Sequence, residues 1–131
     1  MQTIYYSRAR ERALQIIDKP RAGAWVAVTA PSPAELDKLA IDYHLDRDNL
    51  EDAVDIYEAP RVEVEDGAVY VYTRYCYPEG QEIATEPLLI VYAEDCVLTV
   101  VRTRTTILER LTGDELEFVT TQKTKLLLQI L

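Results

Sequence analysis

A chain of 131 residues with 48% apolar content can bury one sizeable core, and its length makes a single domain over 1–131 the expectation. Fourteen basic residues against 23 acidic ones leave a formal charge of −9, which argues against nucleic acid or anionic lipid as a partner and favours cations. No stretch reaches the ~20 apolar residues that cross a bilayer, and the N-terminus lacks the basic flank of a secretory leader, so the chain as given reads as soluble.

In chain order, the β-branched and aromatic residues at 2–6 and the apolar segment 13–17 predict two opening strands in a hairpin. Ala24-Trp25-Val26-Ala27-Val28-Thr29 is nearly continuous in apolar character, the pattern of a strand covered by helices on both faces. Ser32-Pro33-Ala34-Glu35 then combines an N-cap hydroxyl, a proline at the first helical position and a glutamate placed to reach back, a capping box. Leu36, Leu39, Ala40 and Tyr43 form one helical stripe, with Glu35, Asp37, Lys38 and Asp42 towards water.

A second helix, capped by Asp46 or Asp48, is predicted to turn Leu50, Ala53, Val54 and Tyr57 inward and to end at Pro60. Residues 61–65 alternate strictly, Asp66-Gly67 is a strong hairpin turn, and 68–75 return as the partner strand. A polar connection over 77–82 leads to a second hairpin, 88–92 and 96–101 about the turn Ala93-Glu94-Asp95, with both strands central. Ile107, Leu108 and Leu111 mark a short helix stopped near Gly113, and a final helix starts near Thr121. That helix runs to Leu131 without a capping residue, so a continuation is expected. These elements make one α/β unit with a mixed, largely antiparallel sheet.

Phosphate cradles need clustered glycines, whereas Gly23, Gly67, Gly80 and Gly113 stand singly. His44 is the one histidine, which excludes multi-histidine metal centres, and its place beyond a helix end reads as surface rather than as a catalytic base. Cys76 and Cys96 lack the close spacing of zinc or redox motifs and read as reduced core thiols on strands. Tyr70, Tyr72, Tyr75 and Tyr77, with Arg61 and Arg74, could stack nucleic-acid bases, but strand spacing beside acidic surface favours half-buried sheet tyrosines. Asp46, Asp48, Glu51, Asp52 and Asp55 are the strongest chemical anomaly: like charges three and four apart on a helix repel unless something offsets them. A hard cation such as Mg²⁺, which keeps most of its water and needs one or two carboxylates, is one offset; a solvated acidic face is the plainer one.

Trp25-Val26-Ala27-Val28, Ser32-Pro33-Ala34-Glu35-Leu36, Leu50-Glu51-Asp52 and Pro60-Arg61-Val62-Glu63-Val64 resemble, in order and spacing, the CorA-type magnesium transporters. Leu88-Leu89-Ile90-Val91 and Cys96-Val97-Leu98-Thr99-Val100 sit where that family has a buried strand pair, so the likeness covers about 24–131. It implies an α/β/α sandwich with no catalytic centre, the cytoplasmic regulatory domain of a homopentamer. That domain would reach the cell membrane only through later helices carrying a Gly-Met-Asn signature, absent here.

The resemblance also implies that Glu51 and Asp52 contribute to an intersubunit Mg²⁺ site whose remaining ligands come from a neighbouring subunit, so the isolated domain should bind Mg²⁺ weakly at best. Departures are the loosely matched 1–23 and the generic 78–86. ZntB-type zinc transporters share the likeness, and a stand-alone cytosolic α/β metal-binding protein or enzyme is the alternative from another class.

Overall fold

Seven strands form one sheet in the order β2-β1-β3-β7-β6-β5-β4. The strands are β1 (Gln2–Tyr6), β2 (Gln15–Ile17), β3 (Ala24–Thr29), β4 (Arg61–Glu65), β5 (Ala68–Glu79), β6 (Glu82–Tyr92) and β7 (Cys96–Val101). The helices are α1 (Pro33–Asp42), α2 (Arg47–Asp52), α3 (Thr106–Thr112) and α4 (Lys123–Ile130). This computed structural model describes residues 1–8, 14–112 and 120–131. Neighbouring strands pair antiparallel except β3 and β7, which run parallel from Ala24 opposite Cys96 to Thr29 opposite Val101. The sheet is therefore mixed and largely antiparallel, as the sequence predicts.

Alternation along each strand divides the core in two. Ala24, Val26 and Val28 of β3, Leu98 and Val100 of β7, and Tyr70 and Tyr72 of β5 meet Leu36, Leu39, Leu50 and Ala53, so α1 and the α2 region cover one face. Trp25, Ile90, Val97 and Val101 meet Leu108, Leu126 and Ile130, so α3 and α4 cover the other. This α/β/α layering explains why β3 reads as continuously apolar: both of its faces are dry. Trp25 is fully buried and its indole Nε1 donates to Thr99 Oγ1 at 3.0 Å, which satisfies two polar groups inside the sheet layer.

The capping box forms as predicted: Glu35 N donates to Ser32 Oγ at 3.2 Å and Ser32 N donates to Glu35 Oε1 at 3.3 Å. Asp66 and Gly67, with φ of 49° and 81°, make the turn between β4 and β5. The opening strands pair as a hairpin, β1 to β2, while residue 13 and Gly113 lie outside the described residues.

Three expectations are corrected. The second helix stops at Asp52 rather than at Pro60, because Ala53 N, Val54 N and Asp55 N bond carbonyls only three residues back and Tyr57 N donates to the Asp55 carboxylate at 2.9 Å. Tyr57 is consequently 90% exposed instead of inward-facing. The polar connection over 77–82 is strand: β5 and β6 pair from Val69 opposite Tyr92 to Glu79 opposite Glu82, around Gly80 and Gln81. Along this longer hairpin Glu86 is buried, its two oxygens accepting from Arg102 at 3.1 Å each. Cys76, carried on the same extension, is exposed, and only Cys96 is a core thiol.

Among the described residues, no helix is long and apolar enough to cross a membrane.

Candidate functional site

The acidic second helix is pinned to the sheet by tyrosine hydroxyls. Asp46 N donates to Tyr70 Oη at 2.9 Å, and the Tyr72 hydroxyl lies 2.8 Å from Asn49 O and 2.9 Å from its Oδ1. Burial pushes the ionisation of both tyrosines up, so they stay neutral donors and acceptors. Asn49 Nδ2 adds a bond to Glu65 at 3.1 Å. These tyrosines are structural clamps under α2, which agrees with the sheet reading and leaves Tyr70 and Tyr72 no free face for bases.

Asp46 accepts from Asn49 N at 2.8 Å and is the N-cap, which settles the choice between Asp46 and Asp48. Glu51 and Asp52 find arginines. Arg47 donates through Nε to Asp37 at 2.6 Å and through its NH1 to Glu51 at 3.3 Å, so it ties α1 to α2. The Asp37 hydrogen bond is the main reason that its guanidinium holds its proton more tightly than usual. Arg61 reaches Asp52 at 2.8 Å, Glu63 at 3.2 Å and also Glu58, with its guanidinium carbon 3.9 Å from the centre of the Tyr72 ring.

Glu51 and Asp52 are therefore adjacent in sequence but divergent in space. Neighbouring positions on an α-helix lie about 100° apart around its axis; here Glu51 turns towards α1 and Asp52 towards β4. Among the described residues, no three His, Cys, Asp or Glu side chains gather where they could hold a metal ion. Carboxylates suit a hard, hydrated ion such as Mg²⁺ in chemistry, but these two do not converge on a common point. Sequence reasoning passed over Arg47 and Arg61 as their partners, although Arg47 and Glu51 stand at helical (i, i+4) spacing.

His44 is exposed, with a left-handed backbone at φ 54°, and shares the lining of a 310 Å³ cleft with Tyr43, Asp66, Glu94 and Cys96. Burial pushes the Cys96 thiol up to about 11 and the Tyr43 hydroxyl up to about 12. Both are protonated at neutral pH.

Residues 21–131 match the sequence profile of the family described as CorA-like Mg2+ transporter protein. No curated protein matches the chain. Among solved structures, the soluble domain of CorA from Methanocaldococcus jannaschii superposes with a TM-score of 0.79 at 20% identity, covering 99% of this chain and 54% of that one. The complete CorA magnesium transporter from the same organism gives 0.70 at 20% identity over 85% of this chain and 35% of that one. The ZntB cytoplasmic domain from Vibrio parahaemolyticus gives 0.69 at 11% identity over 98% of this chain and 55% of that one. The chain thus spans between about a third and about half the length of these structures, and at such identities they establish the shared fold.

Proposed function

The chain belongs to the CorA-like Mg2+ transporter family, whose members move ions rather than catalyse reactions, and on that premise we propose that it is the regulatory, cation-sensing domain of a divalent-cation transporter. The observation that carries this reading is the family match over residues 21–131. In the proposed arrangement the domain lies on the cytoplasmic side of the membrane, as one of five identical subunits, and the membrane spans belong to a further part of the transporter.

Glu51 and Asp52 are the proposed ligands of an intersubunit Mg²⁺ ion. Two features support them: an acidic chain and oxygen donors suited to a hard ion. A cation that bridges subunits has higher affinity for the state in which they are close, so its binding favours the closed pore and its loss favours opening. Sensing then follows from mass action. For the isolated chain the same reading predicts weak Mg²⁺ binding.

The fold likeness to a ZntB domain keeps zinc as the second cargo. A sensor for zinc favours sulfur and imidazole donors, whereas the carboxylates here suit magnesium. The test is transport by the product of the intact gene in vesicles holding ion-sensitive dyes. Influx of Mg²⁺ that falls as Mg²⁺ rises on the side of this domain is expected. Movement of zinc alone would transfer the reading to the zinc branch, and a product that moves no divalent cation would overturn it.

A further inference from the structure

Each proposed ligand is held by an arginine that has another carboxylate to fall back on. Arg47 sits 2.6 Å from Asp37 and 3.3 Å from Glu51, so it stays paired when Glu51 turns away. Arg61 spreads over Asp52, Glu58 and Glu63 and rests on the Tyr72 ring, so release of Asp52 leaves it two acids and the ring. The carboxylates are the open partners, Glu51 66% and Asp52 43% exposed, so a divalent ion can reach each of them and solvent partly screens the pairs. Resting on the assignment of Glu51 and Asp52 as ligands, we infer that Arg47 and Arg61 are internal counter-cations that occupy these carboxylates when divalent cation is scarce and set the concentration at which it takes them over.

The exchange is local. Neither α2 nor β4 needs to move for Glu51 or Asp52 to change partner, since the helix is fixed independently by Tyr70, Tyr72 and the Asp46 cap. The arginines therefore act on the threshold of the sensor and not on its fold. Asp37 takes part in the same balance: it draws Arg47 away from Glu51 and so keeps Glu51 releasable.

The probe is Mn²⁺ added to the 131-residue chain, read as paramagnetic broadening of the amide signals of α2, which registers weak binding. Arg47→Gln is expected to lower the Mn²⁺ concentration for half-broadening about threefold, in line with loss of one exposed pair. Asp37→Asn is expected to raise it. Lys38→Gln removes one positive charge, as Arg47→Gln does, but from α1, where Lys38 pairs with Asp42 rather than Glu51, and is expected to leave the midpoint unchanged. Arg61→Gln is expected to follow Arg47→Gln, and Arg47→Gln carries the test if the loss of three pairs unfolds the Arg61 variant. An unchanged or raised midpoint in Arg47→Gln, or an equal fall in Lys38→Gln, overturns the inference. Broadening that persists in Glu51→Gln/Asp52→Asn shows instead that the ligand assignment itself is wrong.

Discussion

Ser7 and Thr120, 113 positions apart, exchange three hydrogen bonds in the interior: Ser7 N donates to Thr120 Oγ1 at 2.8 Å, Thr120 N donates to Ser7 Oγ at 3.0 Å, and Thr120 Oγ1 donates to Ser7 O at 3.2 Å. Both residues are buried, so the bonds join the end of β1 to the segment entering α4 where water cannot substitute. Thr120→Val is expected to cost about 1–3 kcal/mol, because it strands the Ser7 amide. Urea unfolding of Ser7→Ala, Thr120→Val and the double variant should show the pair cost falling short of the sum of the single costs. Strict additivity would mean that the clasp contributes nothing as a unit.

Thr99 is the second buried hydroxyl with a defined task, accepting from the Trp25 indole across the parallel β3–β7 pair. Thr99→Val keeps the shape and removes the acceptor, so about 1–3 kcal/mol of stability should go while the fold stays. The one tryptophan of the chain reports on it directly: its emission should change in the native baseline of Thr99→Val and not in that of Ser7→Ala.

Alkaline stability follows from Cys96 and Tyr43. Burial raises both above their ordinary values, to about 11 and about 12, so the folded state holds these protons more tightly than the unfolded chain does. Their contribution is complete below the unfolded values, near 9 for the thiol and 10 for the phenol, and is lost as pH rises through the folded ones. For Cys96 the loss amounts to roughly 2–3 kcal/mol. Unfolding free energy measured from pH 8 to pH 11 should fall more steeply for the native chain than for Cys96→Ala. In the folded chain at pH 8, exposed Cys76 should be alkylated long before Cys96.

Much of the framework was legible because its signals are local. The Ser32–Glu35 capping box, the Asp66-Gly67 turn and the doubly apolar Trp25 strand each follow from a few adjacent residues. The misread parts depend on tertiary contacts. The end of α2 is set by an Asp55 side chain competing for the backbone, and Tyr57 follows that break out into solvent. The outer half of the β5–β6 hairpin looked like a connection because its residues are polar, yet strand pairing there needs only backbone groups and the Glu86–Arg102 pair beside it.

The candidate site was legible in its acids and not in its arginines. Glu51 and Asp52 stood out as part of a repelling cluster, and the repulsion is relieved within the chain by Arg47 and Arg61. Arg61 lies on β4 and reaches Asp52 only because Tyr72 docks the α2 region on β5, a relation that no spacing along the chain encodes.

The most direct test of the proposed sensor is limited proteolysis of the intact transporter across a Mg²⁺ titration, native against Asp52→Ala. Loss of one carboxylate ligand should raise the Mg²⁺ concentration for half-protection about tenfold. Protection by Mg²⁺ with the same midpoint in both proteins would contradict the assignment of Asp52 to the sensing site.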